Sequence, residues 1–339
     1  MALPRLPRAF QYSLLALAVT ASASGTASAA DRELLNSSYD IARELFADIN
    51  PKFQAWWEDE HDETVDVSQS HDGSSAQARA ILQGLRADVV TFNQVTDVQV
   101  LAEAGLVAKD WQEAFDNNAS PYYSTAAFLV REGNPKNIQS WEDLAAEDID
   151  IVFPNPKTSG NGRYTYLAAW GAADKRFDGD EDKIRDYMKT FLGNVEVFDT
   201  GGRGATTSFI EREIGDVLIS FESEVNNIRR EYGSDDYDVV VPPVSILAEF
   251  PVAVVETNAE RNDNVDLAHG YLDYLYREDT QRLLASFNYR VHNATVVEEF
   301  ADQFPETELL EVEDVFGSWD EAMEKHFESG GLIDQLQRR

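Results

Sequence analysis

From residue 31 onward the chain alternates short apolar runs with stretches whose apolar residues recur at helical spacing, and this alternation restricts the fold more than any other feature. Residues 34–36, 64–68, 88–92, 127–130, 149–153, 195–198, 217–221 and 239–241 read as strands. Residues 41–57 place Ile41, Leu45, Ile49, Phe53 and Trp56 on one helical face, with a break expected near Pro51 because proline has no N–H to give a helix. Further helices are expected over 76–85, 163–172, 206–212, 265–276 and 319–327, and residues 247–255 return in extended form. Strands separated by helices predict parallel sheets covered on both faces, an α/β architecture. At 339 residues the chain is long enough for two domains.

Charge and composition remove whole classes of function. Acidic residues number 62 against 28 basic, a formal charge of −34. Phosphate backbones and anionic membranes both need clustered Lys and Arg, so neither nucleic acid nor a membrane surface is an expected partner. The acid surplus has two readings: a well-solvated surface, or adaptation to molar salt. There is no Cys, which excludes disulfides, thiolate metal sites and cysteine nucleophiles. The five histidines (His61, His71, His269, His292, His326) are scattered with no HExxH pair, so neither a metal nor a cofactor is expected. Tyr122-Tyr123 could ligate ferric ion, but following Pro121 into a strand the pair reads as packing. Residues 1–30 carry Arg5 and Arg8, a short apolar stretch and the small residues Ala27-Ser28-Ala29-Ala30. This is the layout of a secretory signal peptide cleaved after Ala29 or Ala30.

Four polar turns carry the chemistry. They are Ser37-Ser38-Tyr39-Asp40, Ser70-His71-Asp72-Gly73-Ser74-Ser75, Thr158-Ser159-Gly160-Asn161-Gly162 and Thr200-Gly201-Gly202-Arg203-Gly204, each leading into a helix. Such residues cap helix N-termini, where unpaired N–H groups and partial positive charge make ready anion sites. If several converged on one cleft, a dianion could be held with no Lys or Arg touching it. There is neither a Walker-type phosphate loop nor a GxSxG elbow. Hydrolase or transferase chemistry at Ser159 is kept as the enzymatic alternative.

The stretch Asn155-Pro156-Lys157-Thr158-Ser159-Gly160-Asn161-Gly162-Arg163 resembles the NPK[ST]SG motif of periplasmic sulfate-binding proteins, the solute receptors of bacterial sulfate/thiosulfate ABC importers. Leu35-Asn36-Ser37-Ser38-Tyr39-Asp40, Gln69-Ser70-His71, Arg203-Gly204-Ala205-Thr206 and Glu313-Asp314-Val315-Phe316-Gly317 extend the likeness, in order, over essentially the whole chain after the signal peptide. The resemblance implies a two-lobed binding protein, a type II hinged trap with mixed, mainly parallel sheets, acting as a monomer in the periplasm and docking on membrane importer subunits. It implies lobe I from residues 31–126 plus 248–339 and lobe II from 127–247, with hinges near 126–131 and 247–255. It implies sulfate or thiosulfate held by donors: Asp40 and Ser74 from the first lobe, and Ser159 (amide and hydroxyl), Gly160, Asn161 and Gly202 from the second. Arg163 and Arg203 flank these positions and are expected to hold loops or lobes together rather than touch the anion.

The chain departs from that pattern at several points. Asn161 and Asp72 stand where the family has Gly, and Gly162 and Gly202 where it has Ala; backbone donation depends on the main chain and survives most such swaps. Phe221 stands where the family has a Trp whose indole N–H points at the anion, and Phe has no donor. Losing one hydrogen bond to a charged ligand costs roughly 1.5–3 kcal/mol, so either affinity is lower or the pocket prefers a softer apex such as thiosulfate. A site made only of donors leaves the proton of hydrogen phosphate facing another donor, so phosphate is expected to be rejected unless Asp40 or Asp72 turns inward to accept that proton. A receptor for another oxyanion (molybdate, tungstate or phosphate) is the alternative within the binding class.

Overall fold

The computed structural model describes residues 30–337. The signal peptide expected over 1–30 therefore lies, but for Ala30, outside the described residues. In chain order the first half contains β1 (Arg32–Ser38), α1 (Arg43–His61), β2 (Val65–His71), α2 (Ser74–Leu82), β3 (Val89–Thr91), α3 (Val95–Glu103), the single turn α4 (Asp116–Ala119), β4 (Tyr122–Ser124), β5 (Ala126–Arg131), β6 (Ile151–Pro154) and α5 (Gly160–Phe177). There follow α6 (Glu181–Gly193), β7 (Val195–Asp199), α7 (Gly202–Thr206), β8 (Val217–Phe221), α8 (Glu222–Tyr232), β9 (Tyr237–Val240), β10 (Val244–Ile246), β11 (Ala248–Glu249) and β12 (Val252–Val254). After the helices α9 (Glu256–Asn262), α10 (Val265–Tyr274) and α11 (Glu278–Ser286) come β13 (Arg290–Val291), α12 (Ala294–Glu299), β14 (Glu308–Leu310), α13 (Val312–Phe316), α14 (Trp319–Ala322) and α15 (Leu332–Leu336).

Two sheets organise two lobes. One has the order β12-β3-β1-β2, with β1 parallel to β2 and β3 and β12 antiparallel at the edge. The other has the order β7-β6-β8-β5-β9; β6 runs parallel to β7 and β8, whereas β5 is antiparallel to both β8 and β9. The expectation of purely parallel sheets thus fails at β5 and β12, while the mixed, mainly parallel pattern of the two-lobed fold is met. The reversals have one cause: these strands carry the chain from one lobe to the other, so each enters its sheet from the opposite end.

The crossing segments lie side by side. Thr125 Oγ1 donates to the Ile246 carbonyl at 2.8 Å, and Ser245 Oγ to the Ala126 carbonyl at 3.0 Å. A small antiparallel sheet, β11-β4-β13, sits beside them. Its Tyr122 is fully buried, stacked on Phe250 (ring centroids 5.4 Å apart) and edge-on to Tyr289 (4.9 Å), so the tyrosine pair packs as expected. β14 pairs with β10, and beyond it the C-terminal segment lies on α5 and α6. Trp319 meets Tyr164, and His326 meets Tyr166 and Trp170. This cover explains why α5 is buried from Gly160 to Gly171 without a polar face.

Local sequence explains most elements. In α1, Leu45, Phe46, Ile49, Phe53 and Trp57 face the core, and the helix runs straight through Pro51 rather than breaking. Pro51 and Ala47, the residue a turn earlier whose carbonyl loses its partner, are both exposed, so water satisfies that oxygen and the buried face on either side keeps the helix going. The helix expected from 163 begins three residues earlier, at Gly160, with Ser159 as its cap. The helix expected over 206–212 begins at Gly202 and loosens into a wider π turn over Thr207–Glu211. Both shifts put the glycine-rich turns into the helix starts themselves.

Candidate functional site

The four polar turns come together where the lobes face each other. On the first-lobe side, Asp40 opens a turn of 3-10 helix between β1 and α1, and Ser74 is the first residue of α2, capped by Gly73. On the second-lobe side, Ser159 caps α5 and Gly201 precedes α7. The edges are close: a Cβ placed on Gly160 would stand 3.0 Å from Asn93 Oδ1 and 3.0 Å from Gln94 Cβ, and one on Gly201 would stand 3.8 Å from Asp40 Oδ2. Glycine at 160 is therefore what lets α5 approach the start of α3.

Donors at these helix starts are uncommitted. Gly160 and Asn161 are the first two residues of α5, and Gly202 the first of α7, so no carbonyl a turn earlier can take their N–H groups. Ser159 differs from expectation. Its amide donates to the Asn155 carbonyl at 2.9 Å, closing the turn, and its Oγ accepts the Gly162 N–H at 3.4 Å. Only its hydroxyl proton is left for a ligand. Ser74 is buried, with Oγ donating to Asn93 Oδ1 at 2.7 Å and accepting from the Asn93 amide at 3.1 Å. This pair ties α2 to the loop before α3.

Asn161 turns its side chain inward. Its Nδ2 donates to Ser220 Oγ at 2.7 Å and to Glu224 Oε2 at 3.1 Å. Glu224 is buried and also accepts from Ser220 Oγ and, at 3.4 Å, from Thr206 Oγ1. Burial raises its carboxyl to about 7, and Asp40 across the cleft adds to the rise. Asp40 is itself lifted above the usual carboxylate range by burial, which the Arg203 guanidinium partly offsets.

The two arginines stand beside the cleft. Arg203 Nη2 reaches across to the Asp40 carbonyl at 3.4 Å and the Glu44 carboxylate at 3.2 Å, an exposed clasp between α7 and α1. Arg163 is buried in the first turn of α5, with Nε and Nη1 free of hydrogen bonds. Burial lowers its pKa and Asp97 opposes that fall; Asp97, raised by burial, is held by Ser75 Oγ at 2.8 Å. Phe221 ends β8, 1% exposed, with Phe250 and Tyr164 rings 5.1 and 6.0 Å away. It is a wall of packed aromatics with no polar atom.

Sequence reasoning missed Asn93, Gln94 and Glu224; Ser220, expected with Ser223 as a hydroxyl that could stand in for the donor Phe221 lacks, is instead engaged with Asn161 and Glu224. Gln94 is fully buried against the start of α5, and neither Nε2 nor Oε1 has a partner. Its signal was weak: Asn93-Gln94 follows a short strand and precedes an amphipathic stretch, as capping turns do, but without Gly or Ser. Among the described residues no group of three or more His, Asp or Glu side chains is placed to hold a metal ion, and no helix is long and apolar enough to cross a membrane.

Comparisons with known proteins bear on the family of the chain. The family model described as bacterial extracellular solute-binding protein matches residues 39–290. The thiosulfate-binding protein of Escherichia coli K12 is 59% identical over 306 residues, 90% of each chain. The sulfate-binding protein of Salmonella typhimurium LT2 is 43% identical over 311 residues, 92% of this chain and 94% of that one. The solved structure of the sulfate-binding protein SubI from Mycobacterium tuberculosis superposes with a TM-score of 0.78 at 30% identity, covering 88% of this chain and all of that one. The chain belongs to the bacterial extracellular solute-binding proteins.

Proposed function

We propose that this protein is a periplasmic receptor that closes its two lobes on sulfate or thiosulfate and delivers the anion to an ABC importer. The observation that carries the reading is the meeting of helix starts from both lobes with free amides at Gly160, Asn161 and Gly202 and no Lys or Arg hydrogen-bonded among them. The amides at Ser74 and Asp40 and the Ser159 hydroxyl complete the donor set from the remaining turns. Such donors stabilise a dianion through charge-assisted hydrogen bonds and the fields of several helices at once. Surface charge beyond about 8–10 Å is screened at physiological salt, so the acidic exterior forgoes steering without opposing contact binding.

Two residues refine the ligand. Phe221 offers a polarizable aromatic wall where a donor would suit a fourth oxygen, and the relative at 59% identity is named for thiosulfate. Thiosulfate, whose terminal sulfur is a poor acceptor, fits that wall better than sulfate. Gln94 Nε2, unpartnered beside Gly160, is a further donor at the site. The catalytic alternative lacks support: His71, the imidazole on the polar turn before α2, bonds the Tyr39 carbonyl at 3.0 Å, and Ser159 Oγ is engaged in capping α5.

Export by the signal peptide over 1–30, action as a monomer and hinge closure belong to the same reading. The lobe division is best drawn with residues 31–124 and 248–303 in lobe I and 126–246 in lobe II; the C-terminal segment from Glu308 goes with lobe II, since it packs on α5 and α6. A thermal-shift panel of thiosulfate, sulfate, phosphate, molybdate and tungstate tests the function, because a ligand that binds only the folded state stabilises it by RT ln(1 + [L]/Kd). Thiosulfate and sulfate are expected to raise Tm, phosphate not. Stabilisation by molybdate or tungstate alone would instead place the protein among receptors for other oxyanions.

A further inference from the structure

The buried carboxyl of Glu224 sits among the groups that hold the two second-lobe helix starts, a strange neighbour for a doubly charged anion. Its oxygens meet Asn161 Nδ2 from the first turn of α5, Ser220 Oγ from the end of β8 and Thr206 Oγ1 from α7. A Cβ on Gly202 would stand 2.9 Å from Glu224 Oε1, so the carboxyl lies directly against the residue that opens α7. Every hydrogen bond given to it comes from a neutral group. The charged and titratable groups that face it are Asp40 from the opposite lobe, Arg203 on α7, whose guanidinium is turned to Glu44, and Tyr289, a buried phenol held neutral. Glu224 also borders an open cavity of about 610 Å³ between the lobes, with Arg203, Glu44 and Arg230 on its walls, which gives the carboxyl a route to solvent protons.

We propose that Glu224 is a positioning residue of the anion site that must be a neutral carboxylic acid when the dianion is bound, so that capture takes up one proton from solvent. The inference rests on the receptor reading and adds to it a proton linkage. In the empty site the carboxyl titrates near neutrality, raised chiefly by burial. A dianion bound at the Gly202 and Asn161 amides brings two negative charges close to it in a poorly hydrated site and lifts that titration further. Below neutrality the acid is already protonated and binding is independent of pH. Above it, each bound anion must first be matched by a proton on Glu224, and affinity falls as pH rises. Sulfate and thiosulfate remain dianions throughout this range, so the titration belongs to the protein.

Calorimetry with thiosulfate and with sulfate from pH 6 to 9, in paired buffers of different ionisation enthalpy, tests the linkage. Affinity is expected to be flat below about pH 6.5 and to fall about tenfold or more by pH 8.5, with uptake approaching one proton at pH 8 and none at pH 6. Glu224→Gln keeps a carbonyl for Asn161 and Ser220 and an amide beneath Gly202; it is expected to abolish both the slope and the proton uptake and to bind more tightly than the parent at pH 8.5. Affinity of the parent that varies less than about twofold over the range, or a slope that persists in Glu224→Gln, would overturn the linkage. The proton count on the parent decides the matter even if the variant does not fold. Binding of neither anion at any pH would overturn the receptor reading itself, and the linkage with it.

Discussion

At the residue scale, the proposed choice of ligand comes down to single atoms. On the proposed reading Phe221, packed against Phe250 and Tyr164, gives the pocket a carbon wall where an indole would donate. Phe221→Trp is expected to strengthen sulfate relative to thiosulfate by up to roughly 1.5–3 kcal/mol, the worth of one hydrogen bond to a charged group; paired titrations of the two anions measure it, and unchanged affinities for both would retire the idea. Side chains at this scale were only partly legible in the sequence. The polar turns at Asp40, Ser74, Ser159, Gly160, Asn161 and Gly202 were legible as helix starts, because capping chemistry is local. Ser159 was misjudged in one respect: its amide closes a turn on Asn155, a choice set by the backbone path of the Pro156 corner. Gln94 and Glu224 were invisible because their role comes from long-range contacts, Gln94 with α5 and Glu224 with Asn161, 63 residues earlier.

At the scale of elements, the helix starts from the two lobes approach to within side-chain contact, as the proposed closure requires. Gly160 is the tightest point, with a Cβ there confronting Asn93 Oδ1 and Gln94. Gly160→Ala is expected to weaken anion binding by about 1–3 kcal/mol, the usual cost of overpacking a close junction, while leaving the melting temperature without ligand within a few degrees. A comparable loss of unliganded stability would mean that the contact serves folding rather than closure. β13 and α8 are joined across the hinge by Arg290, which donates to Glu222 at 2.6 and 2.9 Å with the carboxylate fully buried. Arg290→Met leaves that charge without compensation and is expected to cost about 3–5 kcal/mol in denaturant unfolding; adding Glu222→Gln should return most of it. The alternation of strands and helices was read correctly from apolar spacing for β1 to β3, β6 to β8, α1 and α5. Helices α3, α6, α8 and α11 were not read from the sequence, although α6, α8 and α11 each carry an apolar stripe opposite a charged face, and the reversed direction of β5 escaped because no local signal records which end of a sheet a strand enters.

At the scale of the whole molecule, buried ionisable groups shape the pH response. Burial holds the His326 imidazole down to about 3, and the same effect lifts Glu224 and Glu249 to about 7. A base kept neutral in the fold loses stability as pH falls below its unfolded value near 6.5, by about 1.4 kcal/mol per unit until the folded value is reached. The two acids act in reverse: their contribution is present below about 4.5 and is lost as pH rises toward 7. The two acids, joined by Asp40, Asp97 and Glu222, which burial also raises, outweigh His326 with His71 and His292, which burial lowers, where the windows overlap, so the unliganded melting temperature is expected to fall from acid pH toward neutrality. His326→Gln should steepen that fall, since it removes an opposing group; a fall unchanged in that variant would assign the opposition elsewhere.

The proposed function rests on peptide amides holding the anion at the tips of helices. Selective glycine ¹⁵N labelling reads those amides directly. On saturation with thiosulfate or sulfate, the Gly160 and Gly202 protons should move strongly downfield as they bond the anion, while Gly84 and Gly193, in open surroundings away from the cleft, stay in place. Tight binding with both cleft signals unmoved would contradict the account.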